Sequence, residues 1–270
     1  ISFYEGFILD EELMPDLINN SDGVIHLAAV ASVIECQNNP ERSSEINLQA
    51  TKNITLACRE SERTKAIVFA SSASVYGEPE QPIITENHPT SPLSNYGLDK
   101  LDSERFILSK DSLNDSLSGC CLRFFNVYGP GQSLLSSYSG VLSIFIDRAR
   151  KGEVVNVYGD GKQTRDFVHV EDVTAAIISS MGSLLRDGRE APCNGLALNV
   201  CSDTSTSIMD LISIIEEIYC NPLEVRKLPI REGEILHSRG SYDLINKKIG
   251  WEPKFLFGEG VVDLIGSLEK

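Results

Sequence analysis

Three short apolar runs constrain the fold more than any other feature of this chain: VIHLAA at residues 24–29, AIVFA at 66–70 and CCLRFF at 120–125. Each is too short for a buried helix and lacks the alternation of a half-exposed strand, so each reads as a strand covered on both faces. Between the first two, Ile46, Ala50, Ile54 and Ala57 recur at helical steps within residues 40–58. Between the second and third, residues 95–109 read as another helix. Buried strands alternating with helices of crossover length specify an α/β protein with a parallel sheet. Residues 1–4 are β-rich and read as a strand, and residues 10–18 as a helix with an acidic front.

Beyond Pro130 the pattern loosens. Helices are expected near residues 142–150, 171–181 and 207–219, the last capped by Ser207, with strands at 154–158, 166–170 and 198–201 and a helical tail after Trp251. This mixture points to a smaller α/β unit interleaved with the first. Charge narrows the partners. With 24 Lys plus Arg against 39 Asp plus Glu and a formal net charge of −15, the chain has no basic run to neutralise a polyanion, which argues against nucleic acid or an anionic membrane. No apolar stretch approaches the ~18 residues of a membrane span. The seven cysteines form no C-x-x-C pair and the four histidines lie far apart, so no metal site is expected. The thiols read as small buried hydrophobes in a reducing, cytoplasmic setting.

Tyr96 and Lys100 stand four residues apart and share one face of a helix. An ammonium beside a phenol favours phenolate, so the pair suggests a base that works near neutral pH. Ser72 follows directly from the strand at residues 66–70. In a parallel α/β sheet, ligands bind beyond the carboxyl ends of strands, so this hydroxyl stands where it can meet the oxygen that Tyr96 deprotonates.

With these residues in view, the chain resembles the extended short-chain dehydrogenase/reductases, in particular the nucleotide-sugar epimerases and dehydratases. The resemblance rests on HLAA at 26–29, Asn47 in EINLQAT, SSASVYG at 71–77, Tyr96-x-x-x-Lys100, LRFFNVYGP at 122–130, GDGKQTRDFVHV at 159–170, REGE at 231–234 and GWEP at 250–253. It implies a Rossmann-like sheet with a smaller α/β substrate-binding domain. Residues 1–129 and 164–184 would form the dinucleotide-binding part, and 130–163 and 185–270 the nucleotide-sugar-binding part. It further implies NAD as cofactor, with Ser72, Tyr96 and Lys100 as the catalytic triad. Ile8, Leu27, Ala28, Ala29, Asn47, Ala70, Ser71 and Phe125 would accompany Tyr96 and Lys100 along the dinucleotide. Asn126, Arg165, Arg231 and Glu234 would hold a nucleoside diphosphate, since guanidinium forks match phosphate and a carboxylate accepts ribose hydroxyls.

Two departures stand out. The family's G-x-x-G-x-x-G turn is absent, so the chain is expected to begin at the third strand of the fold, without its first strands, and on its own to bind NAD poorly. Phe7, in EGFI at residues 5–8, stands where the family has the aspartate that contacts adenine. The family's dehydratases carry an Asp-Glu pair after the catalytic hydroxyl, where this chain has Ala73 and Ser74. Elimination therefore lacks its acid and base, and 4-epimerisation of a UDP-sugar is expected. Ser238, seven residues after Arg231, stands at the family's sugar gate and is small enough to admit an N-acetyl group. A decarboxylase or reductase of the same family, a non-catalytic dinucleotide-binding protein and an inactive fragment are the competing readings. Leu98, Leu101 and Leu108, on another side of the Tyr96 helix, suit either a homodimer or the core.

Overall fold

A computed structural model of the chain describes residues 1–132, 140–230 and 235–268. Helix α1 (Leu13–Asn19) leads into β1 (Gly23–His26). Helices α2 (Val33–Asn38) and α3 (Pro40–Ser43) then run through a π-helical turn (Ser44–Gln49) into α4 (Ala50–Glu60). Strand β2 (Ala66–Ser72), α5 (Asn95–Ile107) and β3 (Ser118–Phe124) follow. After β4 (Asn126–Tyr128) come α6 (Val141–Lys151), β5 (Val155–Tyr158), β6 (Thr164–Arg165), β7 (Phe167–His169) and α7 (Val170–Asp187). The chain continues through β8 (Ala197–Val200), β9 (Thr206–Ser207), α8 (Ile208–Tyr219), β10 (Val225–Leu228), α9 (Asp243–Ile249) and α10 (Phe257–Ser267).

The main sheet has the order β1-β2-β3-β8, and every neighbouring pair is parallel. This is the parallel α/β sheet expected from the apolar runs, of the Rossmann type that the resemblance implies. Both faces of β2 and β3 are covered, which is why their runs do not alternate; β1 is an edge strand, and Ile25 and Leu27 of its run stay exposed, against expectation. Ala66, Val68, Cys120 and Leu122 face one way, onto Val173, Ala176 and Ile177 of α7 and onto Trp251. Ile67, Phe69 and Cys121 face the other way, onto Ile18 of α1, Ile54 of α4 and Ile107 of α5. A second core gathers Leu142, Phe145 and Ile146 of α6, Val155 and Val157 of β5, Leu211 and Ile215 of α8, and Leu264 of α10.

Several expectations are corrected. Residues 1–4 pair with nothing among the described residues and stay exposed, because β propensity makes no strand without a partner to complete its hydrogen bonds. The strand at Ala197–Val200, assigned from sequence to the sugar-binding part, is the fourth strand of the main sheet, paired with β3. Leu101 is buried and Leu108 packs against the core, which leaves Leu98 as the exposed member of that trio. Six cysteines are buried, whereas Cys220 is exposed at the left-handed end of α8. No described helix is long and apolar enough to cross a membrane.

Candidate active site

Helix α5 starts sharply because the Ser94 hydroxyl accepts the Gly97 N–H at 3.1 Å, an N-cap that satisfies one of the free donors of the first turn. Tyr96 therefore projects from the helix end, and Lys100 follows one turn later. Ser72 ends β2, and its hydroxyl accepts the Ser74 N–H at 3.2 Å to cap the 3-10 turn Ala73–Val75. The helix comes close to that turn at Gly97, where a Cβ would lie 2.7 Å from the Ser74 carbonyl oxygen. Sequence thus brings together three groups from a strand end and a helix start. The Ser72 hydroxyl lies close enough to the Tyr96 phenol to favour its ionised form, and the Lys100 ammonium donates to the Ala70 carbonyl at 2.8 Å.

The electrostatics differ from the expectation that the nearby ammonium lowers the Tyr96 pKa. Burial pushes the phenol up, and the neighbouring Ser72 hydroxyl draws it back only in part. Lys100 is itself brought down to about 8 by burial, against the upward pull of Cys121, Cys36, Glu104 and Asp99. Its Nζ is held on the Ala70 carbonyl, 5.8 Å from the centre of the Tyr96 ring. Burial thus works against the phenolate, while the Lys100 amine is brought closer to neutral pH.

Two cavities meet at this point. One, of about 570 Å³, is lined by Leu27, Ala29, Ala70, Ser71, Tyr96 and Lys100 beyond the carboxyl ends of β1 and β2. The other, of about 830 Å³, is lined by Ser74, Ile84, Arg165, Ile235 and Ser238. Ser72, Phe124, Phe125, Asn126 and Gly140 belong to both walls. Arg165 enters on β6, and Asn126 is fixed by donating Nδ2 to the Asp166 carbonyl at 3.1 Å. The structure therefore joins Ser72, Tyr96, Lys100, Leu27, Ala29, Ala70, Ser71, Phe125, Asn126, Arg165 and Ser238 in one paired cleft.

Other expected residues fall elsewhere. Asn47 is buried, accepting the Val30 N–H at 2.8 Å and donating to its carbonyl at 3.1 Å, so it braces the loop after β1 from behind. Ala28 is absent from the lining of both cavities, and Ile8 lines a separate 380 Å³ cavity with residues of α1 and α4. Arg231 and Glu234 lie outside the described residues.

Three further polar groups belong to this region, of which only Ser74 was noted from sequence, as the place of a missing carboxylate. The Ser74 hydroxyl is buried, without a hydrogen-bond partner among the described residues, and lines the 830 Å³ cavity. Glu104 and Arg123 form a buried ion pair, Nη2 to Oε2 at 2.7 Å. The available signal was spacing: Ser74 stands two residues after Ser72, and Glu104 extends the Tyr96, Lys100 stripe by another four.

A comparison with family models matches residues 1–189 to the NAD dependent epimerase/dehydratase family. The chain belongs to the NAD dependent epimerase/dehydratase family. A UDP-N-acetyl-alpha-D-glucosaminuronate decarboxylase of Bacillus cytotoxicus is 30% identical over 246 residues, which are 89% of this chain and 72% of that protein. The crystal structure of a UDP-glucose 4-epimerase with UDP-glucose from Thermotoga maritima superposes with a TM-score of 0.88 at 29% identity, over 99% of this chain and 84% of that one. A UDP-N-acetylglucosamine 4-epimerase from Methanobrevibacter ruminantium, in complex with UDP-N-acetylmuramic acid, gives 0.86 at 31% identity, over 97% and 81%.

NAD, the cofactor by which this epimerase/dehydratase family is described, suits the 570 Å³ cavity. Ala29, Ala31, Ala70 and Gly140 keep its wall open, and the buried Lys100 ammonium spends one of its three donors on Ala70. A ribose hydroxyl could accept another.

Proposed function

We propose that this chain catalyses 4-epimerisation of a UDP-hexose. The observation that carries the reading is the shared wall: Ser72, beside Tyr96, stands between a cavity suited to the nicotinamide end of NAD and a cavity that contains an arginine. When bound, NAD supplies an acceptor and donor of hydride at the sugar C4. Ser72 positions the 4-hydroxyl, and Tyr96, ionised to the phenolate, takes its proton and becomes the neutral phenol. The Lys100 ammonium, held on the Ala70 carbonyl, favours the phenolate that this step starts from. Asn126 and Arg165 hold the diphosphate end.

Epimerisation is favoured over elimination because the two residues after Ser72 are Ala73 and Ser74, neither able to act as an acid at C6. Ser238 leaves room for an N-acetyl group beside the smaller hydroxyl.

The test is to incubate the protein with NAD and, in turn, UDP-glucose, UDP-N-acetylglucosamine and UDP-glucuronate, following products by proton NMR. The C4 epimers of the first two are expected. A UDP-pentose formed with loss of carbon dioxide from the third, with no epimer of the first two, would replace this reading by decarboxylation. Tyr96→Phe is expected to reduce kcat by about 10²- to 10⁴-fold, the usual share of a general base.

A further inference from the structure

Helix α5 carries Tyr96, Lys100 and Glu104 at four-residue intervals, so the three lie on one face. All three meet the last residues of β2. Tyr96 lies beside the Ser72 hydroxyl, Lys100 donates to the Ala70 carbonyl, and the Ser71 hydroxyl donates to Glu104 Oε1. Glu104 is 2% exposed, and its carboxylate also receives Arg123 Nε at 2.9 Å and Nη2 at 2.7 Å. Arg123 lies directly across from Ser71 in the β2–β3 register. Its Nη1 reaches the Tyr76 hydroxyl at 2.9 Å, and Tyr76 in turn donates to Asn199 Oδ1 at 2.6 Å.

A buried ion pair is an expensive way to hold a sheet against a helix, because taking both charges out of water cancels much of their attraction. Packing alone would be served as well by two apolar side chains. What the pair provides instead is a fixed register between helix and strand one turn beyond the reacting groups, and a carboxylate close to Lys100.

We propose that Glu104, seated on Arg123, is the positioning residue of this site: it locks α5 to the end of β2 so that Tyr96 meets Ser72, and its charge supports the Lys100 ammonium. The proposal rests on the reading that Tyr96 and Lys100 carry the reaction. The groups that act on Lys100 come from every side: His26 of β1, Cys36 of α2, Cys121 of β3, and Asp99 and Glu104 of its own helix. Of these, Glu104 alone is tied to both the strand that positions Ser72 and the helix that carries the base.

The sign follows from charge. Glu104→Gln removes a negative group and leaves the positive Arg123, and both changes disfavour an ammonium at Lys100. In E104Q the alkaline limb of the kcat profile is expected to move down by about one pH unit, with kcat lowered about tenfold and KM for UDP-glucose unchanged within about twofold. The Lys100 side chain, followed by NMR in protein with ¹³C-labelled lysine and no sugar present, should titrate lower in the same sense. E104M/R123M removes both charges and fills the space with apolar atoms. It should retain the fold and bring the Lys100 titration back toward that of the wild type, yet keep kcat low because Ser71 is no longer held. An unmoved Lys100 titration in E104Q, or a double variant with wild-type kcat, would overturn the proposal. The titration needs no substrate, so wild-type protein inert toward every UDP-sugar, with the titration still moved by E104Q, would defeat the assigned reaction and not the clamp.

Discussion

His26 lies buried at the end of β1, its Nε2 2.9 Å from the Thr51 hydroxyl. Burial, with the Lys100 charge behind it, brings its pKa from 6.5 down to about 4. The folded protein keeps this imidazole neutral where the unfolded chain would take a proton, so stability is lost as pH falls from 6.5 toward 4, by on the order of 3 kcal/mol. Asp166 acts in the opposite sense: burial raises its carboxyl from 3.8 to about 6, so acidification through that window returns a similar amount. The two nearly cancel in the wild type. Replacing His26→Gln removes one side of the balance. Urea unfolding at pH 6.5 and pH 4.5 should therefore show H26Q gaining about 2–3 kcal/mol on wild type over that interval. At this scale, the closeness of Ser72, Tyr96 and Lys100 was legible because a four-residue helical step and a strand end fix where side chains point. Glu104 was not, since a glutamate one turn past a lysine also suits a solvent-exposed helix face, and only the β2–β3 register supplies its partner, Arg123.

Between elements, fit depends on how closely two backbones can approach. Gly97 lets the first turn of α5 rest on the 3-10 turn after β2; a Cβ there would also stand 3.0 Å from Pro92 Cβ. Gly97→Ala must push the helix start away from Ser72, which should cost about 1–3 kcal/mol and lower kcat more than KM rises. Thermal unfolding and steady-state kinetics on the same preparation would check both. Gly240 has a similar role opposite, where a Cβ would meet the Phe125 ring at 2.6 Å and Cys201 Sγ at 2.7 Å. Most helices and buried strands could be read from their periodicity, whereas strand partnership could not. Ala197–Val200 has the composition of any buried strand, and its place beside β3 follows from contacts 76 residues apart, such as Cys121 with Ala197. The same non-locality left residues 1–4, β-rich in composition, without a ladder to join.

Across the whole molecule, the C-terminal segment is tied back to the main sheet through Asp172 on α7. Its carboxylate accepts the N–H groups of Lys254 and Phe255 at 3.0 and 3.1 Å, and its carbonyl accepts the Trp251 indole at 3.0 Å. Asp172→Ala would leave two backbone donors without acceptors and should destabilise the protein by about 2 kcal/mol. Trp251 is the one tryptophan in the chain and packs into the core, so its emission reports this unfolding directly. The uneven burial of the thiols has a practical side. Six of the seven cysteines are sealed in the interior and Cys220 alone faces water, at the far end of α8. A maleimide dye should therefore couple rapidly to one address per native chain and to the remaining six only after denaturation, giving a ready-made optical ruler that needs no engineered residue.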